Sequence, residues 1–553
     1  MRWLIAAASP LLDLLILGLA LYARTSQPLV SPWDVLPTWV FALFALSTAF
    51  LAYSVTQTLP KAFRISSFVL HSAVVCWTAA LIYQFGFGFD PFIHQAAEQH
   101  LANYGTITLK TPLYIGQYGL VWLLHAATRI PIVSIDQWLV PIATLCLMLL
   151  LYHTQRFLPL AFFLLPVSFF SFTIPFHLGV LLFLAIMLLA RETPTKNTSL
   201  ALITCALISL FIHPLIGVPC CMFVIATLLQ TTKWSKHTTL IIAVGIPLAL
   251  FAAMTVYATS QHASLSLPSV KQIHTSLVIL FGTTYRVSLE QIGLSALYGF
   301  VSLWPFAVCL LGIREHLRTK TPWGDLRLYC AIGLVVAAVL LACFIRLPDI
   351  IAHEQFEFPF RLLHLVLFLF LPDIARLLER ITTGKTPHRK LVRCFTYSAI
   401  GIIASTQWFI SYPQHNAIAH TYAPSMSVYE YEALKWIETQ TAGAPFVVLS
   451  HQMLSAAALQ TRGFEQEITT CHGTHLRYAI PTGGALYQDF LNLVRSRTPS
   501  RAIEKLKACY GNAQLMIIIP GYWDPEGRID VTLKPLSKQT ENFGDFLRGY
   551  VIK

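Results

Sequence analysis

An α-helical membrane protein of many spans, followed by a small C-terminal α/β domain, is the architecture this sequence predicts. Three observations carry that reading. Of 553 residues, 56% are hydrophobic and only 12% are charged, whereas a soluble domain carries roughly 25% charge. Apolar runs recur as far as residue 410 and are separated by short basic segments, the pattern of inner loops in multi-span proteins. Near residue 411 charge returns and the apolar runs shorten to strand length. The net charge of +12 belongs to the inter-span loops rather than to one soluble segment, so nucleic acid is not an expected partner.

The spans follow in order. Residues 4–22 read as an uncleaved anchor, because only Arg2 precedes the apolar run and further spans follow. Asp13 near its middle is either a functional group or a polar contact inside the bundle. Spans at 37–57 and 65–85 flank Lys61 and Arg64, which mark the inner side. Residues 86–131 then form an outer loop. Within it, 112–128 is apolar and aromatic but short of the ~20 residues needed to cross a bilayer. It is expected to lie on the outer surface, with Tyr114, Tyr118 and Trp122 at the interface. Spans at 133–153, 158–172, 174–190, 199–212, 215–230 and 240–259 come next, with His213-Pro214 at an outer turn. After an outer segment at 260–290 come spans at 291–311 and 328–345, an outer loop at 346–361, a span at 361–375 and a last span at 395–410. That makes about 13 crossings by length and hydropathy.

The C-terminal part, 412–553, alternates helix and strand signals. Ser427 and Glu430 form a capping box that opens a helix. FVVLS at 446–450 and AQLMIIIP at 513–520 read as buried strands, with helices between them. Of eleven cysteines, only Cys471 and Cys509 fall in this polar part, and an extracytoplasmic location would allow them to pair. Cys471-His472-Gly-Thr-His475 has metal-type residues but lacks the second ligand pair of a zinc site. No P-loop or Rossmann fingerprint is present.

The candidate site lies in the outer loops. Asp90 before Pro91 reads as a helix start, and Gly105 as its stop. Asp90, His94 and Glu98 are spaced four apart, which places them along one face. Capping alone would account for Asp90, and solvation for the other two. His213 and the loop 346–361 fall on the same predicted side. Arg361 and Lys110 are suited to phosphate oxygens, Arg in a bidentate manner. Asp90 is suited to act as a general base. His353, Glu354 and Glu357 are donors for sugar hydroxyls or for a divalent cation (Mg or Mn).

These segments resemble the GT-C superfamily of integral-membrane glycosyltransferases. GFDPFIHQAAEQHLANYG followed by LKTPLY is similar to the first outer loop of that superfamily. LKTPLYIGQY is similar to the Lys-Pro-Pro-Leu-Tyr segment of aminoarabinose-transferase-like members, and the loop ending in FPFR resembles the late loop that meets the lipid phosphate. The resemblance implies a GT-C-like fold in 1–411 and an extracytoplasmic α/β domain in 412–553. It also implies a plasma (inner) membrane location, a polyprenyl-phosphate-linked sugar as donor, and a saccharide, lipid or protein acceptor. Asp90 then corresponds to the catalytic acidic residue, and Lys110 and Arg361 to phosphate contacts. His94, Glu98, Tyr114, His213, His353, Glu354 and Glu357 are expected to bind substrate. The sequence departs from the family in having no Asp-Glu pair at Asp90, no Asp-x-Asp and no Trp-Trp-Asp-Tyr-Gly, which disfavours protein N-glycosylation. A lipid-linked-saccharide transporter, an assembly factor, and a polymerase or ligase remain alternatives.

Overall fold

The computed structural model describes residues 2–107, 112–190, 194–230, 232, 237–260, 268–281, 291–320, 322–347, 354–384, 389–464, 466–496 and 498–552. The chain opens with α1 (Arg2–Tyr22), α2 (Val40–Val55), α3 (Lys61–Ile82), α4 (Asp90–Tyr104), α5 (Ile115–Thr128) and α6 (Ile132–Thr154). Next come α7 (Leu158–Phe162), α8 (Pro175–Leu189), α9 (Lys196–Ile212), α10 (Pro214–Leu229), α11 (Thr238–Ser260) and α12 (Val270–Phe281). The helical part closes with α13 (Ile292–Thr319), α14 (Pro322–Phe344), α15 (Glu357–Leu369), α16 (Leu371–Thr383) and α17 (Arg389–Ile410).

Among the described residues, six helices are long and apolar enough to cross a membrane: most or all of α1, α3, α6, α11, α13 and α14. Five apolar helices are shorter, namely α2, α8, α9, α10 and α12. The protein is thus a helical chain of membrane-protein character. Two expected crossings are not continuous helices. Residues 158–172 hold only the five-residue α7 and a 3-10 turn, Ser168–Phe170, with much of the segment buried in the bundle core. Pro159 lies in the first turn of α7, and Pro166, which lacks an amide hydrogen, follows the end of that helix and disfavours its continuation. The run 361–375 breaks at Phe370, with Pro372 in the first turn of α16. Hydropathy detects burial, and both segments are buried, but it does not detect a bend.

Asp13 lies deep in the bundle, where Oδ1 is partnered and Oδ2 has no hydrogen-bond partner among the described residues. Its Oδ1 is 2.9 Å from His71 Nδ1 and accepts from Ser47 Oγ at 2.7 Å, while His71 Nε2 is 3.0 Å from Thr48 Oγ1. All four side chains are fully buried among α1, α2 and α3. This is a buried polar contact that ties three helices together.

Beyond α17 lie α18 (Val428–Thr441), β1 (Phe446–Ser450), α19 (Gln452–Arg462), β2 (Glu467–Thr470), β3 (Gly473–Leu476), α20 (Ala485–Arg495), α21 (Pro499–Tyr510), β4 (Gln514–Pro520), α22 (Arg528–Leu536), β5 (Ser537–Phe543) and β6 (Leu547–Ile552). The main sheet runs β1-β4-β6-β5, with β1 and β4 parallel and the other two pairings antiparallel. Side chains alternate across it. Val447, Leu449, Ile517 and Ile519 pack toward α20, α21 and α22, and Val448, Met516 and Ile518 pack toward α18 and α19. Burial on both faces is why β1 and β4 read as unbroken apolar runs. The Ser427–Glu430 capping box is present. Cys471 and Cys509 form a disulfide that joins the β2–β3 hairpin to α21.

The C-terminal domain is seated on α4. Phe92 is fully buried in a cluster with Met426, Leu434 and Phe446, and Ala96 packs with Leu459 and Leu476. Backbone hydrogen bonds from Ser425 to Leu29 and from Val428 to Ser26, both 2.9 Å, fasten the linker to the loop after α1.

Candidate functional site

Helix α4 is aimed by the turn before it. Gly86 and Gly88 adopt φ of +109° and +89°, a region that side chains with a Cβ rarely enter. The helix starts at Asp90 with Pro91 in its first turn and ends at Gly105, whose φ of 68° closes it. The cap position falls on Phe89, and the Asp90 carboxylate takes no hydrogen bond among the described residues. Capping therefore does not explain Asp90.

Asp90 opens instead onto a cavity of about 200 Å³, lined also by His94, Tyr114, His213 and Arg361, with Ile93, Ile174, Pro175 and Phe176 as its apolar wall. Five residues singled out from the sequence thus meet at one place, contributed by α4, the 3-10 turn Pro112–Tyr114, the α9–α10 turn and α15. His94 Nδ1 is 2.9 Å from Tyr118 Oη. The phenol donates to a neutral imidazole, which leaves the Nε2 hydrogen for the cavity side. Burial pushes the His94 pKa down to about 4; Asp90 opposes that shift and Arg361 adds to it. Tyr114 is pushed up to about 12, chiefly by burial. It therefore stays a phenol at neutral pH.

His213 sits between the rings of Tyr114 and Phe176, with centroids 5.3 and 5.5 Å away. Its side chain is nearly fully buried, yet Nδ1 has no partner among the described residues. A buried polar atom left unpaired is costly unless a ligand or water completes it. The Arg361 guanidinium lies 5.1 Å from the centroid of Phe176 and 5.7 Å from that of Phe358, close enough for cation–π attraction. Its Nη2 donates to Glu357 Oε2 at 2.9 Å. One such bond from a five-donor group leaves the guanidinium able to receive an anion.

Other expected residues are placed elsewhere. Glu357 is half exposed and lies outside the cavity lining, where it holds Arg361 from one turn below. Glu354 accepts from Thr482 Oγ1 at 3.3 Å, which ties its 3-10 turn to the C-terminal domain. Glu98 is fully buried on another face of α4. Gln117 Nε2 donates to Glu98 Oε1 at 3.0 Å and lies 3.4 Å from Asp136 Oδ1. Gln95 Nε2 donates to Asp136 Oδ2 at 2.9 Å and its own oxygen accepts from Gln460 at 2.6 Å. Burial and then the nearby Asp136 carboxylate raise the Glu98 pKa well above its usual value. Tyr118 is not an interface residue, because it is buried against His94. Lys110 and His353 lie outside the described residues.

Sequence reasoning missed Phe176, Tyr118, Gln117 and Asp136. The first had a signal: SFTIPFH places polar residues and a proline inside an apolar stretch. A divalent cation is poorly matched here. Among the described residues the cavity presents one carboxylate beside a guanidinium, where a hard cation takes six or more oxygens. The Cys471 segment is also committed: its thiol is in a disulfide, His472 Nε2 is 3.0 Å from Asp489 Oδ2, and His475 Nε2 is 2.7 Å from Thr470 Oγ1. No protein-family model matches the chain, and no curated protein matches it.

Proposed function

We propose that the chain is a membrane glycosyltransferase of GT-C-like plan that moves a sugar from a polyprenyl-phosphate carrier to an acceptor hydroxyl or amine. One observation carries the reading: Asp90, His94, Tyr114, His213 and Arg361 line a single cavity. The acceptor oxygen or nitrogen attacks the anomeric carbon, and Asp90 takes its proton. The glycosidic C–O bond breaks, and its electron pair leaves on the phosphate, whose growing charge Arg361 stabilises. Neutral His94 and His213 hold sugar hydroxyls. The cavity is smaller than the roughly 300–1,000 Å³ of drug-sized sites, which suits the reacting headgroup with the lipid chain outside it.

A multi-span topology, an inner-membrane location and an extracytoplasmic C-terminal domain belong to the same proposal. The Cys471–Cys509 disulfide supports the last of these, since disulfides persist in oxidising compartments. The Asp13–His71 cluster is fully buried among three helices and ties them together, which favours a structural role for it over a transport path. The test is release of polyprenyl phosphate from purified polyprenyl-phosphate-linked sugars by the full-length chain in detergent, with membrane extract as acceptor source. Turnover that vanishes in Arg361→Ala while the variant unfolds at the wild-type temperature is the expected result. Absence of turnover with every donor, using extracts that support other transferases, would contradict it.

A further inference from the structure

The segment 87–89, just ahead of Asp90, also borders a second and larger space. A cleft of about 480 Å³ separates it from the C-terminal domain, and an adjoining cavity of about 560 Å³ shares Phe87, Gly88 and Pro413 with it. The cleft walls are aromatic: Phe87 and Phe89 on one side, Tyr422, Tyr487, Tyr522 and Trp523 on the other. Among the described residues no Lys, Arg, Asp or Glu lines it. A charged headgroup would find no counter-ion there, so the lining favours a neutral occupant.

His451 adds a directional group to this lining. Its Nε2 is 3.2 Å from Glu430 Oε1, and Glu430 is itself fully buried and fixed by Ser427 N at 2.8 Å and Ser427 Oγ at 2.5 Å. In the neutral tautomer that donates Nε2–H to this carboxylate, Nδ1 is a lone-pair acceptor. That nitrogen has no partner among the described residues although the side chain is only 2% exposed. A ligand hydroxyl would complete it.

Aromatic faces attract C–H groups through their negative quadrupole, and a fixed acceptor selects an O–H. A pyranose ring offers both, a C–H face and a hydroxyl edge. We infer that this cleft binds a neutral saccharide. As the acceptor subsite it rests on the transferase reading; as a saccharide site it stands on the cleft alone.

The experiment is binding of the full-length chain, in detergent, to an array of neutral oligosaccharides, followed by titration of the best binder. Wild type is expected to bind, and His451→Ala and Trp523→Ala to weaken binding about tenfold each, the scale of one lost hydrogen bond or stacking contact. Tyr422→Ala guards against misfolding, because Tyr422 is 52% exposed, and it is expected to weaken binding at an unchanged unfolding temperature. Asp90→Asn is expected to bind as wild type does, so loss of transfer and loss of binding separate. Failure of wild type to bind any neutral saccharide, or binding that survives all three cleft variants, would overturn the inference. So would occupancy by polyprenyl phosphate in competition with the saccharide.

Discussion

Asp90 and Glu98 are two carboxylates on one helix, eight residues apart, and their surroundings have little in common. Asp90 faces a cavity, takes no hydrogen bond among the described residues and has a guanidinium on the same wall. Glu98 is sealed between α4, α5 and α6, shares an amide donor with Asp136, and is connected through Gln95 to Gln460 of the C-terminal domain. The contrast teaches how a carboxylate is assigned a task. Glu98 spends Oε1 on Gln117, while its Oε2 is buried without a hydrogen-bond partner among the described residues; a carboxylate enclosed in this way ties helices together, and one that faces a cavity can accept a proton.

The sharpest way to break the comparison is substitution at the cavity end. Asp90→Asn keeps shape and removes the base, and its transfer rate is expected to fall about 10²–10⁴-fold, the scale of general-base catalysis. Arg361→Ala follows, with a loss of about 10²–10³-fold in turnover, comparable to removal of one electrostatic stabiliser. Arg361→Lys is expected to recover only part of this, because a point charge lacks the planar fork and the flat fit on Phe176.

At the buried end the expected effect is on stability. The Glu98 pKa is raised in the folded chain from an ordinary value of 4.5. Above that value the unfolded chain releases the proton while the folded chain keeps it. The Glu98 contribution is therefore full below 4.5 and is lost as pH rises toward the folded value. Glu98→Gln cannot titrate, so as pH rises above 4.5 the wild type is expected to lose more unfolding temperature than the variant. Parallel pH profiles would contradict the buried-acid account. The smallest effect concerns the C-terminal domain alone. Cys471→Ser is expected to cost about 2–4 kcal/mol in chemical denaturation, with transfer chemistry intact in the folded fraction.

Much of this site was legible in the sequence because its pieces sit at punctuation. Asp90-Pro91 starts a helix, Gly105 ends it, and His213-Pro214 turns the chain. The four-residue spacing that grouped Asp90 with His94 also drew in Glu98. A step of four advances about 40° round a helix of 3.6 residues per turn. His94 therefore stays on the cavity wall, while Glu98, about 80° round, turns toward α5 and α6. Asp136 was hidden in an apolar span, and only its three-dimensional neighbours identify it. In the C-terminal domain β1 and β4 were readable as buried runs, but β5, SKQTENF, is exposed over Lys538, Gln539, Thr540, Glu541 and Asn542. An edge strand with a solvated face carries no apolar period. Residues 158–172 were read as a span because burial and lipid look alike to hydropathy.

The central claim is that Asp90, not Glu98, is the carboxylate that does chemistry. The direct measurement is transfer from a polyprenyl-phosphate-linked sugar by Asp90→Asn and Glu98→Gln, purified and assayed side by side. The account predicts loss of at least about 10²-fold for Asp90→Asn and activity near wild type for Glu98→Gln wherever it is folded. Equal activity in the two variants, or the reverse order, would contradict it.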